Sequence, residues 1–170
     1  MSLFRRILVP HDFSEHASRA LAVAAGLARE HHGRLLVLYV ITPFQPVSGF
    51  PGEGIPLIPE DLIGSERRRL ETIAARTVRG RNAPPVECKV VIGDPFQRIA
   101  DAARGVDSIV MATAGRTGLS HMLIGSVAEK VVRHAPVPVL TLRPAVALAK
   151  ARTRSRAGGR RTNPRAARRR

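Results

Sequence analysis

The sequence predicts an α/β fold, an open, doubly wound, five-stranded parallel sheet. Five short runs are apolar and rich in β-branched residues, at 6–9, 35–41, 86–92, 108–112 and 137–142, and stretches of helical periodicity separate them. Near-continuous apolar strands spaced by helices belong to parallel sheets covered on both faces. Such sheets bind ligands beyond the carboxyl ends of their strands, where strand order reverses.

The elements follow in order. The first run, Ile7-Leu8-Val9, leads into Pro10-His11-Asp12-Phe13-Ser14, and the helix expected over 14–32 sets Ala17, Leu21, Ala24, Leu27 and Ala28 on one face. Asp12 with Glu15 three residues later fits a capping box, and Ser14 also suits the cap. After the second run, residues 43–59 hold five prolines and three glycines, which excludes helix and central strand and leaves an irregular loop near the presumed site mouth. A charged helix over 61–81 carries Leu62, Leu70, Ile73 and Ala74. Helices over 95–104 and 126–134 complete the alternation. In the last run, from Val137 to Leu142, the neighbouring prolines suit an edge strand, since each lacks a ladder N–H.

Composition bounds the rest. At 170 residues the chain is one domain's worth, and no apolar run approaches a membrane span. The single cysteine, Cys88, cannot form an internal disulfide, and the N-terminus does not read as a secretory signal, so the expected location is the cytoplasm. The net charge of +15 is uneven: ten Lys or Arg and no acid lie in residues 150–170, leaving +5 for residues 1–149. This divides the chain into a domain over 1–144 and a basic C-terminal tail over 145–170, too poor in apolar side chains to repay the entropy of ordering. The tail offers sequence-independent contact with nucleic acid or an anionic surface, or it is a solvated extension. It contains no aromatic residue to stack on bases.

The six histidines form no metal-ligand pattern, and no Ser-His-Asp or Cys-His pairing stands out. The chemistry concentrates in the loop 112–126, where glycines and small hydroxyl residues join the fourth strand to the last helix. Glycine lets backbone approach an anion closely, and the N–H groups of a helix's first turn point at it. A parallel α/β turn also uses Gly and Ser merely to turn and to cap. The loop is not a Walker A motif, and G-x-G-x-x-G is absent from the chain.

The string MATAGRTGLSHMLIGSVAEKVVRHAPVPV at 111–139, with Ile7-Leu8-Val9-Pro10-His11-Asp12-Phe13-Ser14, closely resembles the universal stress protein family over about residues 4–144. The family signature Gly-x2-Gly-x9-Gly-Ser/Thr falls on Ala112, Gly115, Gly125 and Ser126; Ala112 departs from it, as does Ala114 where many members carry histidine. The resemblance implies a Rossmann-like, adenine nucleotide alpha hydrolase-like fold with strand order 3-2-1-4-5. It further implies a site that binds ATP, AMP or a related adenine nucleotide, with Mg²⁺ accompanying the phosphates.

By the same resemblance Asp12 contacts the nucleoside, and Pro10 and Val40 wall the adenine beside Met111. Gly115, Gly125, Ser126 and Val127 meet the phosphates through backbone N–H groups and the Ser126 hydroxyl, with Ala112 a further nucleotide contact. Ser126 doubles as helix N-cap, and Arg116 is the available cation. The family also pairs its last strand across a two-fold axis, which implies a homodimer through 137–142. No P-loop lysine and no evident base accompany the loop. The expectation is therefore a nucleotide-binding sensor or interaction module with little or no turnover, slow ATP hydrolysis and nucleic-acid binding through the tail being the alternatives.

Overall fold

The computed structural model describes residues 3–43, 61–113 and 125–143. In chain order the elements are β1 (Arg6–Pro10), α1 (Glu15–Glu30), β2 (Arg34–Ile41), α2 (Leu62–Thr77), β3 (Val86–Ile92), α3 (Pro95–Ala103), β4 (Ser108–Ala112), α4 (Ser126–His134) and β5 (Val139–Leu142). The strands form one all-parallel sheet in the order β3-β2-β1-β4-β5. This is the expected fold class and strand order. The loop over 44–60, Ala114, Gly115, Arg116 and the tail lie outside the described residues.

Strand alternation sorts the apolar side chains into two layers. Ile7, Val9, Leu35, Val37 and Val110 pack with Ala20, Leu21, Ala24 and Ala28 of α1 and Leu70 and Ala74 of α2. Leu8, Leu38, Ile109 and Met111 pack on the other face with Ile99 and Ala103 of α3 and Ala128 and Val131 of α4. Burying both faces explains why β1 reads Ile-Leu-Val without a polar break: all three are fully buried. The alanine stripe of α1 lets that helix lie close on the strands, and the turn leaving it admits no side chain at Gly33. A Cβ there would run into the backbone oxygen of Phe4.

Element ends depart from expectation for local reasons. The fifth strand begins at Val139 rather than Val137, because Pro138 has no N–H to donate; it contributes its carbonyl instead, accepting from Ile109 N at 2.9 Å. Helix α2 ends at Thr77 rather than Arg81, and Gly80 turns the chain at φ +114°. Among the described residues, no helix is long and apolar enough to cross a membrane.

Candidate functional site

The sheet opens at the carboxyl ends of β1 and β4. Their ladder pairs Ile7 with Ser108 and Leu8 with Ile109 and goes no further, whereas β1 stays in register with β2 as far as Pro10 and Leu38. Beyond that point the chain leaves β1 for α1 on one face and returns from β4 to α4 on the other. The resulting crevice is a cavity of about 640 Å³, within the size range of small-molecule sites.

Eight of the residues expected to contact a nucleotide line this cavity: Pro10, Asp12, Val40, Met111, Ala112, Gly125, Ser126 and Val127. The other two, Gly115 and Arg116, lie outside the described residues. The lining combines apolar side chains, among them Pro10, Leu38, Val40, Ile99, Met111 and Val127, with the polar side chains of Asp12, Thr42, Thr113 and Ser126. His11 and Thr113, both buried, also line it, as do Tyr39 and Pro95. Sequence reasoning missed these four, and Ile99 with them. Thr113 sits one residue past the motif's first position, but Pro95 and Ile99 reach the site only because α3 crosses over β1 and β2, which no local pattern announces.

The turn after β1 is held by its own side chains. Asp12 Oδ1 accepts from the N–H of Ser14 at 3.1 Å and from its hydroxyl at 2.6 Å, while Ser14 Oγ accepts from Ala17 N at 3.1 Å. Ser14 is therefore the N-cap of α1, and Asp12 orients the cap rather than serving as it. Phe13 takes a positive φ of 67°. Its ring lies 4.4 Å from that of Tyr39, and the guanidinium of Arg69 sits 4.0 Å above it, so α2 grips the turn from outside. Burial pushes the His11 imidazole below its ordinary pKa of 6.5, opposed by the Asp12 carboxylate.

Across the cavity, α4 opens differently from the expectation in two respects. The N–H of Gly125 is not free for a ligand: it donates to Thr113 O at 2.7 Å, closing the 113–125 loop at its neck. A Cβ at 125 would stand 3.2 Å from the same oxygen, so what glycine contributes here is close approach. Nor is Ser126 the N-cap. Gly125 holds that position with extended backbone (φ −58°, ψ 146°), and Ser126 is the first helical residue, exposed, with its hydroxyl unused in capping. The N-terminal cap bond of α4 runs from Glu129 N to Gly125 O at 2.9 Å. An α-helix leaves its first N–H groups without intrahelical acceptors, so Ser126, Val127 and Ala128 present theirs at the cavity wall. The donor set is thus shifted one residue along from the expected one.

Among the described residues no three His, Cys, Asp or Glu side chains converge to hold a metal ion. Asp12 is the single carboxylate among the described lining residues, and Lys and Arg are absent from that lining.

A family model described as the universal stress protein family matches residues 3–143. The universal stress protein in the QAH/OAS sulfhydrylase 3'region of Thermus aquaticus is 36% identical over 143 residues, covering 83% of this chain and all of the relative. A solved structure from the universal stress protein family of Burkholderia pseudomallei is 35% identical with a TM-score of 0.61, covering 84% of this chain and 98% of the other. The universal stress protein of Archaeoglobus fulgidus, solved in complex with dAMP, shares the fold at 24% identity and a TM-score of 0.57, covering 82% of this chain and 98% of the other.

Proposed function

Because the chain belongs to the universal stress protein family, we propose that the crevice between β1 and β4 binds an adenine nucleotide, ATP foremost, and that the protein acts as a nucleotide-responsive sensor or interaction module rather than a catalyst. The observation that carries this reading is the make-up of one cavity, whose lining joins apolar side chains to the open first turn of α4. Pro10, Val40 and Met111 offer apolar side chains for a purine to lie against. Asp12, fixed by Ser14, is an acceptor for a ribose hydroxyl or the adenine amino group. The N–H groups of Ser126 and Val127, with the Ser126 hydroxyl, suit phosphate oxygens through helix dipole and free donors together.

The same geometry supports the reading of little turnover. Phosphoryl transfer needs charge stabilisation and a group that positions the nucleophile. Among the described residues the cavity offers no cation, and both ring nitrogens of His11 are engaged, Nδ1 by Phe13 N and Nε2 with Ser18 Oγ. With no converging acidic cluster among the described residues, Mg²⁺ would arrive on the phosphates and be held chiefly by them and by water.

We also propose that the protein pairs with a second copy along β5. That strand is an edge, and Leu140 on it and Val132 on α4 are large apolar side chains left 42% and 49% exposed.

The test is calorimetric titration of ATP, AMP and adenosine at physiological salt into the wild-type chain and Ser126→Pro. Proline is tolerated at the first helical position, and the extended Gly125 accommodates a following proline, so the substitution removes one N–H and one hydroxyl while leaving α4 in place. The expected result is at least a tenfold loss for ATP with adenosine affinity unchanged. Absence of saturable binding of all three to the wild type overturns the reading.

A further inference from the structure

We propose that the pole of the domain opposite the cavity, where the strands begin, docks on the phosphate backbone of a nucleic acid. The segments 29–34, 79–85, 104–107 and 135–138 join helix ends to strand starts, and with residues 3–6 at the start of β1 they form this pole. They hold seven arginines (Arg5, Arg6, Arg29, Arg34, Arg79, Arg81, Arg104), no lysine, and two acids, Glu30 and Asp107. All seven arginines are exposed. Elsewhere among the described residues ten basic side chains stand against nine acidic ones, so nearly all the net charge of the described domain sits at this one end.

The pole is arranged to keep its charge. The ion pairs among the described residues involve Arg68, Arg69, Arg98 and Arg133, none of them at the pole. One carboxylate oxygen of Asp107 accepts from the backbone N–H of Arg6 at 2.8 Å. Arg6 and Arg34 are register partners on adjacent strands, which sets two exposed like charges side by side. Arg29 is braced by Nη2 on Arg79 O at 3.1 Å and Nε on Asn82 O at 3.3 Å, which ties α1 to the connection ahead of β3.

Arginine alone, in a row, suits phosphate oxygens, which its planar fork can bind in pairs. From β3 to β4 the row crosses three strand spacings, about 15 Å, the rise of roughly four phosphates along one duplex strand. A membrane would call for apolar side chains to insert, and Leu3 is the one large exposed hydrophobic there among the described residues. β5 runs parallel to the other strands and delivers the chain past Leu142 at the cavity end.

The experiment is fluorescence anisotropy of a labelled 20-base-pair duplex against the full chain from low to physiological salt. It compares wild type with the triple variant Arg5→Gln, Arg34→Gln, Arg81→Gln and with a charge-matched variant at Arg168, Arg169 and Arg170. Removing three phosphate contacts should lower the log-log salt slope by about 2.7 and weaken binding more than tenfold in 0.1 M salt, with the tail variant closer to wild type. A thermal midpoint held by the pole variant shows the loss is not unfolding. No duplex binding by the wild type overturns the proposal. So does a pole variant with unchanged slope, or one that loses binding to phosphatidylserine vesicles while keeping the duplex.

Discussion

The backbone N–H of Phe13 donates to Nδ1 of His11 at 3.0 Å. Ser18 spends its hydroxyl proton on Ser14 O at 3.1 Å, so the 3.3 Å contact between Ser18 Oγ and His11 Nε2 is donated by the ring. The network assigns a neutral imidazole protonated on Nε2. A proton on Nδ1 would set two donors face to face and loosen the turn that carries Asp12.

Stability should therefore fall with acidification. The folded-state pKa of His11 lies below the ordinary 6.5 because of burial, so the folded state resists the proton that the unfolded chain accepts. The associated stability is complete above about pH 6.5 and is lost as pH drops through that value toward the lower folded pKa. Denaturant melts at pH 7 and pH 5 measure it. His11→Asn supplies an oxygen to accept from Phe13 N without titrating, and should flatten this component; an unchanged pH dependence in the variant would assign it elsewhere.

Ser14 links the cap of α1 to the cavity. Ser14→Ala removes both the acceptor for Ala17 N and a donor to Asp12, and should cost about 1 kcal/mol, or some 2–4 °C in thermal midpoint for a chain of this size. Ser14→Thr keeps the hydroxyl and should restore most of it. Equal losses in the two variants would show that packing, not capping, matters at this position.

Cys88 on β3 is chemically quiet. Burial first, then the carboxylates of Glu71 and Glu87, push its thiol up to about 11, so at pH 8 roughly one molecule in a thousand carries the reactive thiolate. Ellman's reagent should modify the native protein far more slowly than the guanidinium-unfolded chain. Comparable rates in the two states would contradict the half-buried setting.

How much of this was legible beforehand differs between fold and site. Ile7-Leu8-Val9 announced a strand buried on both faces, and the alanine stripe of α1 announced the side turned to the sheet, because burial imprints a period on the chain. Strand order came through family likeness, since periodicity does not say which strands touch. At the site, the described motif positions gather around one crevice, but the sequence did not say how their backbone groups are used. Gly125 was read as a donor and is engaged by Thr113; Ser126 was read as a cap and is the first helical residue.

Local pattern was sufficient for the alternation of strands and helices, the edge character of the last strand and the uneven charge, because each depends on neighbours within a few residues. Three things required the assembled chain. These are the crevice where the β1–β4 ladder stops, the arrival of Pro95 and Ile99 at its wall, and the gathering of seven arginines from four separate segments at one pole. Each depends on the distance between residues far apart in sequence, which is decided only when the two apolar layers close on the sheet and fix the position of every connection around it.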